Sequence, residues 1–71
     1  MGRLRIRRPG GEKILVWANE KEAKRIRRFF QEAIGMGYLA FTRNEEGKIR
    51  LSEDFDPNAE EIVMFPPVAG G

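Results

Sequence analysis

The sequence predicts an α+β fold in which one helix packs on a mixed sheet of short strands. Three observations predict it: a single apolar stripe at helical spacing, short alternating segments separated by glycine and proline turns, and a last strand that is apolar on both faces. A chain of 71 residues forms one small domain. We expect this domain to span residues 1–65 and a flexible C-terminal tail to span residues 66–71.

The first two strands are predicted to form an antiparallel hairpin. Residues 3–8 alternate arginine with Leu4 and Ile6, which is typical of a half-buried strand. Pro9-Gly10-Gly11 is a turn signal, and residues 12–17 then read as the second strand.

The apolar stripe predicts a helix over residues 20–34. Asn19 is a suitable N-cap, and Glu22 three residues later completes a capping-box pattern. Apolar residues then recur every three or four positions as far as Ile34. Gly35 is the predicted residue just past the helix end.

Three more strands are predicted, at residues 38–42, 48–51 and 60–65. The last is apolar on both faces, as expected of a central strand, which places it beside the first strand and parallel to it. With the helix across one face, this order of strand, strand, helix, strand, short strand and strand corresponds to the β-grasp of ubiquitin-like proteins.

Composition excludes several kinds of chemistry. The chain has no cysteine and no histidine, so it lacks a thiol nucleophile, the commonest general base and the commonest metal ligand. Scattered carboxylates do not have the spacing of a calcium loop. We therefore expect no enzymatic activity, bound cofactor or metal. No apolar run approaches the roughly 20 residues that cross a bilayer, and we expect a cytoplasmic protein without membrane contact.

Charge is unevenly distributed along the chain. Residues 1–30 carry a net charge of +7 and residues 31–71 a net charge of −5. This pattern is typical of a surface with complementary patches, but it leaves open a basic interaction module or a nucleic-acid-binding module with no tail chemistry. The candidate basic patch consists of Arg3, Arg5, Arg7, Lys24, Arg25 and Arg28.

The C-terminal tail is the main candidate site. Two prolines stop the last strand because proline donates no N–H and favours an extended chain. Glycine at the last two positions leaves a bare carboxylate that can enter a narrow slot on another protein. The residues required for this entry into a partner would be Pro66, Pro67, Val68, Ala69, Gly70 and Gly71.

The ending Phe65-Pro66-Pro67-Val68-Ala69-Gly70-Gly71 closely resembles the C-terminus of the molybdopterin synthase small subunit, a β-grasp sulfur carrier. More loosely it is similar to ubiquitin and to the thiamine-pathway sulfur carrier. Residues 37–41, 55–57 and 59–62, with the same ending, also resemble small uncharacterised phage-associated proteins. The arginine-rich first strand and the basic helix depart from the sulfur carriers.

The resemblance implies that the chain is a substrate. An ATP-dependent activating enzyme of the ubiquitin type would adenylate the carboxylate of Gly71. Sulfur would then take the acyl group to give a thiocarboxylate, or a cysteine and then a lysine would take it to give a protein conjugate. ATP would be used by that enzyme, and further partners would be a synthase subunit or a conjugation target.

A docking surface for such partners is expected on the sheet. Residues 12–17 and 37–42 are apolar on both faces, and one helix covers only one face of a sheet. Trp17, Phe41 and Phe65 are the candidate residues of this partner patch, although core packing is the default expectation for each of them.

Overall fold

The chain begins with the predicted hairpin. In the computed structural model, which describes residues 1–67, β1 (Gly2–Arg8) pairs antiparallel with β2 (Gly11–Trp17). Leu4 and Ile6 are buried, which puts the alternating arginines on the opposite face of the sheet. The alternation predicted from the sequence is therefore confirmed.

The helix α1 (Glu20–Gly35) begins where the capping pattern predicts. The Asn19 side chain accepts a hydrogen bond from the backbone N–H of Glu22 at 2.9 Å. The Glu22 carboxylate in turn accepts from the backbone N–H of Ala18 at 2.7 Å, one residue before the usual capping-box partner. The buried residues of α1 are Ala23, Ile26, Phe30 and Ala33.

The helix α1 ends one residue later than predicted, and the glycine that follows it is Gly37 and not Gly35. Gly35 is still helical, Met36 is the C-cap, and the left-handed residue is Gly37, with φ of +95°. Met36 donates its N–H to the carbonyls of Glu32 and Ala33, so the last turn continues past Gly35. Gly37 is thus part of the helix stop, and the next strand begins two residues later at Leu39.

The remaining strands are β3 (Leu39–Arg43), β4 (Ile49–Ser52) and β5 (Glu61–Phe65). The five strands form one sheet in the order β2-β1-β5-β3-β4. β5 lies parallel to β1 and antiparallel to β3, so the predicted central position of the last strand is confirmed. The class is α+β, with one helix and a five-stranded mixed sheet over the described residues.

The core lies between α1 and one face of the sheet, and the loop before β5 closes one end of it. Phe30, Leu4, Ile62 and Met64 are fully buried there. Phe55, from that loop, lies edge-on to Phe30 with ring centroids 5.8 Å apart. The sequence pattern does not show this contribution, because Phe55 is an isolated aromatic residue in a polar segment.

Gly2 is buried where the core leaves no room for a side chain. A Cβ added there would lie 2.5 Å from the carbonyl oxygen of Ala59 and 2.7 Å from Cε2 of Trp17. We expect Gly2→Ala to lower the free energy of unfolding by about 1–3 kcal/mol, because the Ala59 contact is with backbone that cannot rotate away. Urea denaturation followed by circular dichroism measures the difference.

Gly35→Ala is the matched control for that substitution. No atom lies within 4 Å of a Cβ added at Gly35, which is helical. This variant should be more stable than the parent by about 0.5–1 kcal/mol. Equal stabilities for the two variants would contradict the steric explanation.

Candidate functional site

The last described residues of the chain are two prolines. β5 ends at Phe65, and Pro66 and Pro67 follow it outside any strand. Pro67 is exposed beside Gly37, where an added Cβ would lie 3.4 Å from its Cβ. The predictions for Val68, Ala69, Gly70 and Gly71 lie outside the described residues. The termination of the last strand at the prolines is confirmed.

The sheet face opposite α1 has no helix over it among residues 1–67, and we call it the open face. Cross-strand pairing builds it in rows, of which Ile14, Arg5, Val63, Phe41 and Leu51 form the middle one. Side chains at the two ends of this row, Ile14 and Leu51, are more than half exposed. This row therefore places Arg5 among apolar side chains that are partly exposed to solvent.

An apolar patch occupies the β3, β4 and β5 part of the open face. It consists of Leu39, Phe41, Ile49, Leu51, Val63 and Phe65. Phe41 and Phe65 meet edge to face with centroids 5.8 Å apart. The guanidinium of Arg7 lies 5.6 Å from the Phe65 ring centroid, a cation–π contact at the border of the patch. A shallow depression of about 370 Å³ runs between Phe41, Val63 and Phe65.

Trp17 is not part of this patch, which corrects its assignment as a surface candidate. It is 1% exposed and lies on the helix-facing side of β2. Its indole N–H donates to the carbonyl of Pro57 at 3.0 Å, and its ring lies edge-on to Phe55 at 5.0 Å. The loop before β5 covers this end of the sheet, so Trp17 belongs to the core. Phe41 and Phe65 do lie together on the open face.

The charged row of the open face is centred on Glu61. Its carboxylate accepts a hydrogen bond from Nε of Arg3 at 2.9 Å and also contacts a terminal guanidinium nitrogen of the same residue. Arg5 and Arg43 each place a guanidinium nitrogen 3.8 Å from the other carboxylate oxygen. The Glu61 side chain is only 11% exposed, so three arginines compensate one nearly buried carboxylate. Glu61 is the one acidic side chain in an otherwise apolar strand, and that is the signal that sequence reasoning missed.

A second ion pair joins β1 and β2 on the same face. Arg5 Nε donates to the Glu12 carboxylate at 2.8 Å. This hydrogen bond and the charge of Arg5 hold the pKa of Glu12 below its ordinary value, and the same hydrogen bond raises the pKa of Arg5. Because the folded state favours ionised Glu12, this ion pair adds to the free energy of unfolding at pH values above the ordinary pKa of glutamate. That contribution is lost as the pH falls through the lowered pKa.

The candidate basic patch is divided between two sides of the protein. Arg3, Arg5 and Arg7 lie on the open face, because they alternate with the buried Leu4 and Ile6. Lys24, Arg25 and Arg28 are exposed on α1, which covers the other face. The expectation of one basic surface is therefore wrong, since the sheet separates the two sets.

No group of three acidic side chains is placed to hold a metal ion within residues 1–67. The single helix of that range is neither long nor apolar enough to cross a membrane.

Comparison with protein-family models, with curated proteins and with solved structures found no match to this chain.

Proposed function

We propose that the chain is a β-grasp protein of the ubiquitin-like type and acts as a carrier or modifier. An activating enzyme would adenylate the Gly71 carboxylate at the α-phosphate of ATP and release pyrophosphate. The acyl group would then pass to sulfur or to a partner protein, and AMP would be released as the acyl–phosphate bond breaks. In this proposal the chain supplies the reacting carboxylate and a docking surface, and the partner supplies nucleotide binding and catalysis.

The topology supports the fold assignment. The strand order β2-β1-β5-β3-β4, the parallel pairing of β1 with β5 and the single helix on one face are the features expected of a β-grasp. The central position of β5 has a functional consequence. It fixes the start of the C-terminal tail on a strand that is hydrogen-bonded on both sides.

The observation that carries the proposal is where β5 ends. Phe65 is both the last residue of β5 and a member of the apolar patch, and Pro66 and Pro67 follow it directly. The six residues from Pro66 to Gly71 can span about 20 Å when extended. A partner that covers the apolar patch could therefore receive the end of the chain in an active site at that distance.

The apolar patch suits a docking role. Leu39, Ile49 and Leu51 are each more than half exposed, and Phe65 is 36% exposed. Large apolar side chains grouped in this way favour contact with another protein. The arginines beside Glu61 would form the polar border of such an interface.

Mass spectrometry of the protein purified from its native host tests the proposal. The expected result is the mass of a chain whose last residue is Gly71. In part of the population, sulfur should replace one oxygen of the terminal carboxylate, or Gly71 should be joined to a lysine of another protein. Sulfur substitution identifies a carrier, and a lysine linkage identifies a modifier. A mature chain that continues beyond Gly71, or one that is never modified there, would rule the proposal out.

A further inference from the structure

The strand β4 forms one edge of the sheet. It is the last strand in the sheet order and, in the described part of the chain, pairs only with β3. The ladder between these strands continues to Asn44, whose backbone N–H donates to the Lys48 carbonyl at 3.0 Å. Hydrogen-bonded and non-hydrogen-bonded pairs alternate along an antiparallel ladder. Arg50 therefore bonds toward β3, whereas Ile49 and Leu51 direct their N–H and C=O groups outward to solvent.

This edge carries exposed apolar side chains. Ile49 is 66% exposed and Leu51 is 58% exposed, and both lie on the open face. The strand contains no proline, and its pairing with β3 is uninterrupted from Ile49 to Ser52. A regular, exposed edge of this kind accepts another strand unless its charges prevent it. The charges around β4 therefore decide which strand fits.

The two ends of β4 carry charges of opposite sign. Lys48 precedes the strand, and Arg50 lies within it. Glu53 and Asp54 follow it directly, where the chain bends. All four side chains are exposed, and no ion pair joins any of them to another residue of the range 1–67. Because the segment is basic at its start and acidic at its end, an antiparallel copy of it presents the complementary charges.

We propose that a second copy of the chain binds along this edge, with the two β4 strands antiparallel and Leu51 opposite Leu51. In this register the two Leu51 residues exchange both backbone hydrogen bonds. Lys48 of each copy lies near Asp54 of the other, and Arg50 lies opposite Ser52. Each dimer therefore contains the Lys48–Asp54 pair twice, and the two sheets join into one of ten strands.

The charges and the apolar side chains select this register over its neighbours. Directly opposite residues lie on the same face of a sheet, so the register shifts only in steps that keep Ile49 and Leu51 on the open face. A pairing centred on Arg50 would place the two Arg50 side chains directly opposite each other, and like charges there are destabilising. A pairing centred on Ser52 would place Leu51 opposite Glu53 and would separate the two leucines.

The pairing does not involve β5. Both β4 and β5 are antiparallel to β3, so they run in the same direction. The two β5 strands of the dimer then run in opposite directions, about 24 Å apart, since five strand spacings separate them. The two open faces lie on the same side of the joined sheet, and their apolar patches meet at Leu51. This association is independent of the proposed chemistry at Gly71, because its contacts are confined to β4 and the residues beside it.

Self-association of the full chain, measured by sedimentation equilibrium at low salt, tests the proposal. An interface of this size is weak, and we expect a dissociation constant of about 0.1–1 mM. Lys48→Glu should raise this constant about fivefold or more, because each dimer loses two attractive pairs and gains two repulsive ones. Lys21→Glu is the control, since Lys21 is exposed on α1 and its reversal changes the net charge equally. It should raise the constant less than about twofold.

An exchange of the two charges separates specific pairing from net charge. Asp54→Lys alone should weaken the dimer as Lys48→Glu does, because it places two ammonium groups near each other. The double variant, Lys48→Glu with Asp54→Lys, should return the dissociation constant to within about twofold of the parent. Circular dichroism of each variant checks that the fold is retained, which is expected because both side chains are exposed.

A single introduced thiol tests the register, because the chain has no cysteine of its own. Opposite residues of a hydrogen-bonded antiparallel pair have Cα atoms about 5.5 Å apart, a distance that a disulfide spans. In a buffer of reduced and oxidised glutathione, Leu51→Cys should form disulfide dimers with an effective concentration about tenfold or more above that of Val16→Cys. Val16 is the control because it is 56% exposed on β2, the other edge of the sheet.

Three results would overturn the proposal. The first is a protein that stays monomeric at about 2 mM. The second is an equal dissociation constant for Lys48→Glu and Lys21→Glu, or no recovery in the double variant, since either would show that Lys48 and Asp54 do not meet. The third is equal disulfide formation at positions 51 and 16, which would show that β4 is not the interface.

Discussion

Deletion of Gly70 and Gly71 is expected to abolish adenylation of the protein while leaving its free energy of unfolding within about 0.5 kcal/mol of the parent. Under the proposed function, adenylation should disappear because the truncated chain ends at Ala69, two residues short of the carboxylate proposed to react. Stability should hold because, among the described residues 1–67, the buried hydrophobic core extends from Leu4 to Met64. Pyrophosphate exchange with an activating enzyme from the native host measures the first effect, and urea denaturation measures the second.

The control for this deletion is Lys21→Ala, an exposed change on α1, the side of the sheet away from the apolar patch. It should leave pyrophosphate exchange unchanged. Exchange that persists in the deletion variant would show that the Gly71 carboxylate is not the reacting group. Loss of exchange together with loss of stability would show that the last glycines support the fold, which contradicts the division of the chain into a domain and a tail.

Trp17→Ala is expected to remove roughly half of the protein's free energy of unfolding. Trp17 is 1% exposed, packs edge-on against Phe55 and donates a hydrogen bond to the Pro57 carbonyl. Removing a buried aromatic side chain of this size costs about 3–5 kcal/mol. A domain of 71 residues has a total stability of about 4–10 kcal/mol. Circular dichroism against urea concentration measures the loss, since Trp17 is the sole tryptophan and its fluorescence disappears with it.

Trp17→Phe separates the two contributions of this side chain. It keeps an aromatic ring in the core but removes the N–H that pairs with Pro57, and we expect a smaller loss of about 1–3 kcal/mol. If the alanine variant were as stable as the phenylalanine variant, the side chain would not be the link between β2 and the loop before β5. Such a result would favour the surface position of Trp17 over its assignment to the core.

Much of the fold follows from patterns that act locally. The Asn19 cap and its Glu22 partner fix the start of α1 because both groups lie within one turn of the residues they satisfy. The alternation in β1 identifies its buried face because one-sided burial imposes a period of two. The end of α1 was less predictable, since both Gly35 and Gly37 can follow a helix and the choice depends on how Met36 pairs with the last carbonyls.

The candidate site was only partly predictable. The interruption of the last strand by two prolines requires no tertiary information, because proline lacks a backbone N–H. The grouping of Phe41 with Phe65 depends on the pairing of β3 with β5, which brings together residues from distant parts of the chain.

The sequence by itself determined the class of fold, the central place of the last strand and the end of that strand at two prolines. Each of these depends on periodicity, burial on two faces or backbone chemistry, all of which are local properties. Only the tertiary structure decided that Trp17 is buried, that three arginines surround Glu61 and that the basic residues lie on two opposite sides. These outcomes depend on which strands become neighbours and on which face α1 covers, and both are settled by packing of the whole chain.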